Sequence, residues 1–213
     1  VGTNSFGEPT AFYTQIHPDY PPTNLNVPDF AYMVTNATDK PNVTIFATDL
    51  DMAGAIANGL NHPEDSVIRR IGTLELIVVP GLTIQAAIDA ANPGDTVLVM
   101  NGSYQETLHI NKNIHISGES RDGVIIDTSA STVYGVHAYG DIETSFANLT
   151  IIGPSSAPGS YGLKIAGENA ETTITNVLVK NSARTGLDLN GLNGAVITDV
   201  VLQNNAGNGL SLT

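Results

Sequence analysis

The residues of this 213-residue chain best placed to do chemistry are His137, Lys164 and Asp188, followed by Ser211. Each is the third residue of a short segment that opens on glycine: "GVHA", "GLKI", "GLDL" and "GLSL". If those segments stack in register, their third residues form one outward file. An imidazole, an ammonium, a carboxylate and a hydroxyl in a file can pass protons and balance charge. Lys164 can act as a base there only if burial or a cationic neighbour lowers its proton affinity far. Asp188, next in the file, favours the charged ammonium instead. The plainer expectation is an exposed row with a weak ion pair.

Other polar groups point to less. "TDLDMAG" offers Asp49 and Asp51 as calcium ligands. It lacks the further oxygen ligands and closing Glu of an EF-hand loop. Capping of a helix is the competing role for these aspartates. The five histidines form no metal-ligand motif, although His109 and His115 could face one side on neighbouring rungs. No cofactor is expected, and Ca2+ is the one metal considered. Asn36, Asn42, Asn101 and Asn148 each begin an N-x-S/T sequon, which matters only in a host that glycosylates such sites.

Composition narrows the partners. There are 21 acidic and 8 basic residues, for a formal net charge of −13. Nucleic acid would be repelled. A polyanionic sugar would be repelled too, unless a cation bridges the charges. Nine acids precede Pro80 and twelve follow it, so the charge is a diffuse solvated surface. There is no cysteine, which rules out a disulfide or a cysteine-ligated metal. No apolar run reaches the ~20 residues of a membrane-spanning helix. Val1 is not a natural start, so an upstream segment is expected.

The elements that must position the file come from a repeat. "YGLKIAGENAETTITNVLVKNSA" begins at Tyr161, "TGLDLNGLNGAVITDVVLQNNAG" at Thr185 and "NGLSLT" at Asn208, with a looser copy from Tyr134. A period in the low twenties predicts a solenoid. Alternation of period two predicts strands, and no helix separates them. A right-handed parallel β-helix follows, with rungs about 4.8 Å apart. Leu163, Ile165, Leu187, Leu189, Leu210 and Leu212 should point inward, and Val177 and Val179 should stack under Val200 and Leu202. Asn181 and Asn204 recur at one turn and predict an asparagine ladder. Upstream, Ile84, Ala87, Ile88 and Ala91 keep helical spacing, with Thr83 to cap the start and Asn92-Pro93-Gly94 to stop it. One amphipathic helix ahead of the rungs is the expected seal of a solenoid end.

The segment "PGDTV", "GSYQE", "KNIHISGES" after that helix resembles the first coils of pectin-lyase-like β-helix proteins. The resemblance runs from about Leu82 to Thr213. It implies an all-β right-handed solenoid over residues 81–213; residues 1–80 are assigned to no family and read from their own pattern as a β-rich and loop-rich region. Gly102, Tyr104 and Glu106 match a "GxYxE" similar to the opening motif of pectin methylesterases. The aspartates and glutamines of that family have no counterpart in "YGVHAYG" or "NLTIIG". A glycine turn, a packed Tyr104 and an outward Glu106 are therefore expected. Lyases of this fold often work from an outward column, where a base takes the C5 proton of a uronic acid and a cation neutralises its carboxylate.

The later rungs look most like long bacterial surface proteins. That likeness implies an extracellular or cell-surface structural or adhesive role, with polysaccharide or copies of the same chain as partners. A carbohydrate-active enzyme of the pectate-lyase type is the alternative, and a trimeric phage-fibre component a further one. Because "NGLSLT" opens a rung without closing it, the polypeptide is expected to continue past Thr213 or to be covered there.

Overall fold

The computed structural model describes residues 44–47, 49–58, 66–70 and 72–213. Readings that fall on residues 1–43, including the sequons at Asn36 and Asn42, lie outside the described residues. In chain order the elements are β1 (Thr44–Ala47), α1 (Leu50–Asn58), β2 (Val67–Arg70), β3 (Glu75–Val78), α2 (Ile84–Ala90) and β4 (Asp95–Val99). Then come β5 (Gly102–Tyr104), β6 (Leu108–Ile110), β7 (Ile114–Gly118), β8 (Val124–Asp127), β9 (Tyr134–Tyr139) and β10 (Glu143–Ile152). The chain closes with β11 (Tyr161–Ala166), β12 (Glu171–Lys180), β13 (Thr185–Asn190), β14 (Gly194–Thr198), β15 (Val201–Gln203) and β16 (Leu210–Leu212).

The strands wind into a parallel β-solenoid of about six turns. One wall is a five-stranded sheet in the order β6-β9-β11-β13-β16. The rest is an eleven-stranded sheet that runs β1-β2-β3-β4-β7-β10-β12-β14, with β5, β8 and β15 beside that path. Among the described pairs only β2 with β3 is antiparallel. The sheet passes residue 80 without a break, because β3 pairs in parallel with β4 over Glu75↔Thr96 to Val78↔Val99.

The core follows from the alternation. Leu108, Val136, Leu163, Leu187 and Leu210 are register partners down the five-stranded wall. Opposite them Val97, Ile116, Phe146, Ile174 and Ile197 form a second inward file. Most of these side chains are fully buried, while Ile197, Leu210 and Leu212 on the last turn are exposed. Val179 pairs with Leu202 as the repeat predicts.

The corners explain the repeating glycine and asparagine. A Cβ on Gly162 would stand 2.5 Å from Val179 Cγ1, 2.6 Å from Ser182 Oγ and 2.8 Å from the carbonyl oxygen of Gly186 on the next rung. Only glycine lets the backbones approach that closely. Asn181 and Asn204 share a left-handed turn at φ 63° and 53°. The side-chain ladder itself forms at a second left-handed corner. There Asn176 Nδ2 donates to Asn148 Oδ1 at 2.9 Å, with Asp199 taking the same conformation one rung on.

Helix α2 stands where its spacing predicts, with Thr83 Oγ1 accepting from the Ala86 N–H and Ile84, Ala87 and Ile88 buried. It covers the free edge of β6. Gln85 accepts from the His109 N–H at 2.8 Å and donates to the His109 carbonyl at 3.2 Å, as a neighbouring strand would. Glu106 departs from the sequence expectation. Its carboxylate turns back to accept from the Ile84 and Gln85 N–H groups at 2.8 and 2.9 Å. Burial raises its pKa against the opposing pull of those two donors. Lys112 Nζ donates to the carbonyls of Asp89 and Ala91 at the other end. Glu106→Ala should therefore cost about 2 kcal/mol and free the helix from β6. Thermal melting with amide exchange measures both. Unchanged exchange at Ile84 and Gln85 would show that the carboxylate does not hold them.

Asp95, from "PGDTV", ties the upstream strands to the coil. It is almost wholly buried, and Arg69 of β2 donates to it at 2.8 Å. Burial alone would raise its pKa. The Arg69 hydrogen bond, the Asn92 N–H and the charges of Arg69 and Lys112 outweigh that and hold it below the ordinary carboxylate value.

Candidate functional site

Alternation puts Leu163 and Ile165 inside the coil and Lys164 outside, and the same holds for the neighbouring rungs. Strand register then assembles the outward file. His109 of β6 pairs with His137 of β9, His137 with Lys164 of β11, Lys164 with Asp188 of β13, and Asp188 with Ser211 of β16. The file thus begins one rung earlier than the repeat indicates. His109 joins it, and His115 does not. The two histidines lie on different sheets, since β6 belongs to the five-stranded wall and β7 to the longer one. His115 Nδ1 is instead 2.9 Å from Ser145 Oγ on the adjoining rung.

Beyond the exposed His109 the file is not an exposed row. Tyrosines at the corners entering β9 and β11 frame it. Tyr134 and Tyr161 lie 5.8 Å apart between ring centroids. The His137 ring sits between Tyr134 at 4.3 Å and Tyr139 at 4.9 Å. Lys164 Nζ stands 4.7 Å from the Tyr161 centroid, and the Arg184 guanidinium 5.0 Å from the same ring. Lys164 donates to Asp188 Oδ2, and the two side chains are only 14% and 5% exposed. A pair so enclosed is screened less than a surface pair.

This arrangement decides the chemistry. The Lys164 ammonium is engaged by a carboxylate and an aromatic face, so the geometry presents it as a charge partner rather than as a base. His137 has a lowered pKa, through burial first and then the charges of His109 and Lys164. In the folded chain it therefore binds fewer protons than in the unfolded one. The stability it contributes is complete above the ordinary imidazole value and falls as pH drops from there through the folded pKa. Around the file, tyrosine rings offer faces to an apolar or sugar surface, while the imidazoles and the guanidinium offer polar contacts.

The remaining candidates hold local structure together. Asp49 Oδ1 accepts from the Met52 N–H at 2.8 Å and so caps α1, while Asp51 lies in its first turn. Among the described residues no group of three or more His, Asp or Glu is arranged to hold a metal ion. Tyr104 packs inside and donates to the Met100 carbonyl at 2.7 Å. The members of this cluster that sequence reasoning missed are Tyr134, Tyr139, Tyr161, Arg184 and the outward position of His109. A signal existed for two of them: "YGVHAY" and "YGLKIA" both place tyrosine just before the glycine.

No family model matches the sequence, and no curated protein matches it. Two solved structures, both of pectin methylesterase in complex with a hexasaccharide and one of them a point mutant, are similar in part. They share 20% and 21% sequence identity with TM-scores of 0.40 and 0.37, over 55% of this chain. The aligned part spans half the length of each of those chains. The chain's own strand register carries the assignment that stands: it is an all-β parallel solenoid.

Proposed function

We propose that this chain is a structural and adhesive β-helix of an extracellular or cell-surface protein, and that the outer face of its five-stranded sheet contacts saccharide. The observation that supports this is the cluster of Tyr134, His137, Tyr139 and Lys164 on adjoining rungs. A sugar ring packs its C–H face on aromatic rings and bonds its hydroxyls to imidazole and ammonium groups. Tyr139 is 40% exposed and opens that cluster to solvent. The strands beneath belong to one continuous hydrogen-bonded sheet, which holds the rings in place before any ligand arrives.

The test is a saccharide panel probed by calorimetry, together with turnover assays on pectate, alginate and methylated pectin. Binding without turnover is the expected result, and Tyr139→Ala should weaken it about tenfold. Release of unsaturated sugar ends or of methanol would overturn the non-catalytic reading in favour of an enzyme. Failure to bind any saccharide would overturn the adhesive one.

A further inference from the structure

The outward file has a charge that two protons can change. His109 and His137 face each other on adjacent strands, about 4.8 Å apart along the axis. Beyond His137 comes Lys164, whose charge Asp188 already balances. Tyr134 and Tyr139 flank the His137 ring, and Tyr161 with Arg184 lies one rung on. On the other side α2 contributes Asp89, which is bonded to Gln85 Nε2 at 2.8 Å. With both imidazoles neutral, the file's Lys164 and Asp188 cancel, leaving Arg184 beside one end and Asp89 beside the other. With both protonated, a row of three cations runs from β6 to β11, with one carboxylate at its far end.

Resting on the saccharide-contacting role given above, we propose that His109 and His137 are a proton switch that makes this face hold carboxylate-bearing saccharides in acid and release them near neutrality. The rest of the molecule opposes such a ligand, because the chain carries a formal charge of −13. A local row of cations overcomes that repulsion without a bridging metal ion, and histidine is the side chain that supplies it within a mild pH range. Burial and the neighbouring cations resist protonation of His137 in the free protein. The opposite charge of a bound carboxylate offsets both penalties, so binding and proton uptake are linked.

The experiment titrates an alginate oligosaccharide, and a neutral oligosaccharide of equal length, into the chain at two pH values. Affinity for the alginate probe should rise about tenfold from about pH 8 to about pH 5, and the neutral probe should change little. Calorimetry in two buffers of different ionisation heat should show proton uptake on binding the alginate probe. His109→Gln and His137→Gln together should remove the uptake and the pH dependence, with circular dichroism confirming that the variant is folded. Alginate binding that ignores pH, or a double variant that keeps the dependence, would overturn the switch. Binding of the neutral probe alone would also overturn it while leaving the saccharide reading intact. If neither probe binds at either pH, the saccharide reading falls with it.

Discussion

Leu187→Asp is expected to abolish cooperative folding of the solenoid. Leu187 is fully buried, and its register partners above and below are Leu163 and Leu210. Truncating such a leucine to alanine costs about 2–5 kcal/mol through lost transfer energy and the cavity left behind. Aspartate adds a carboxylate that the leucine and isoleucine files around it cannot bond, which costs several kcal/mol more. Each turn of a solenoid is stabilised by its neighbours, so the loss spreads outward from β13. Circular dichroism and solubility on expression measure the outcome. Thr173→Asp is the control, because Thr173 occupies an outward, exposed position of β12. It should shift stability by no more than about 0.5 kcal/mol. A Leu187→Asp protein that melts cooperatively at the parent temperature would show that Leu187 is not part of a stacked interior.

The inward file was legible because it depends on local alternation and one short repeat. "GLKI" and "GLDL" place leucine, then a polar residue, then another apolar residue, and a strand of period two can bury only one set. Register followed from the spacing of the glycines. What could not be read were contacts whose partners are far apart in sequence and share no pattern. Glu106 is the clearest case. The motif reading set it outward beside a packed Tyr104, yet two N–H groups at the start of α2, which have no partner within the helix, draw its carboxylate back. Nothing near Glu106 announces those donors. His109 was hidden for a related reason. Its strand precedes the recognisable repeat, so only the pairing of β6 with β9 brings it into the file.

The asparagines show a middle case. Asn181 and Asn204 recur one period apart, and both do take the left-handed turn. The ladder bond belongs instead to Asn148 and Asn176, which are 28 residues apart because one intervening loop is longer. A fixed period looks past that pair. The same variation in loop length loosens the earliest copies of the repeat while leaving the strands in register, since a loop at a corner can grow without moving the rungs it joins.

Asp188→Ala is expected to be the most damaging substitution on the outer face. Asp188 sits one residue beyond Leu187 and points the other way, but it is nearly as buried, at 4% exposure. Its carboxylate accepts from Lys164, whose side chain is 14% exposed. Removing it leaves an ammonium enclosed by Tyr161 and the adjoining strands, with the cation–π contact as partial compensation. Breaking a buried pair in this way costs about 3 kcal/mol, far above the ~0–1 kcal/mol of a solvated one. Lys164→Met added to Asp188→Ala should recover about 2 kcal/mol, because no unpaired charge then remains. Denaturant unfolding of the two single variants and the double variant closes the cycle. Repeating it at high salt separates burial from screening, since an enclosed pair keeps its coupling when ions are added. A single variant within about 0.5 kcal/mol of the parent, or a coupling that vanishes in salt, would place the pair in solvent and return the file to an ordinary charged surface.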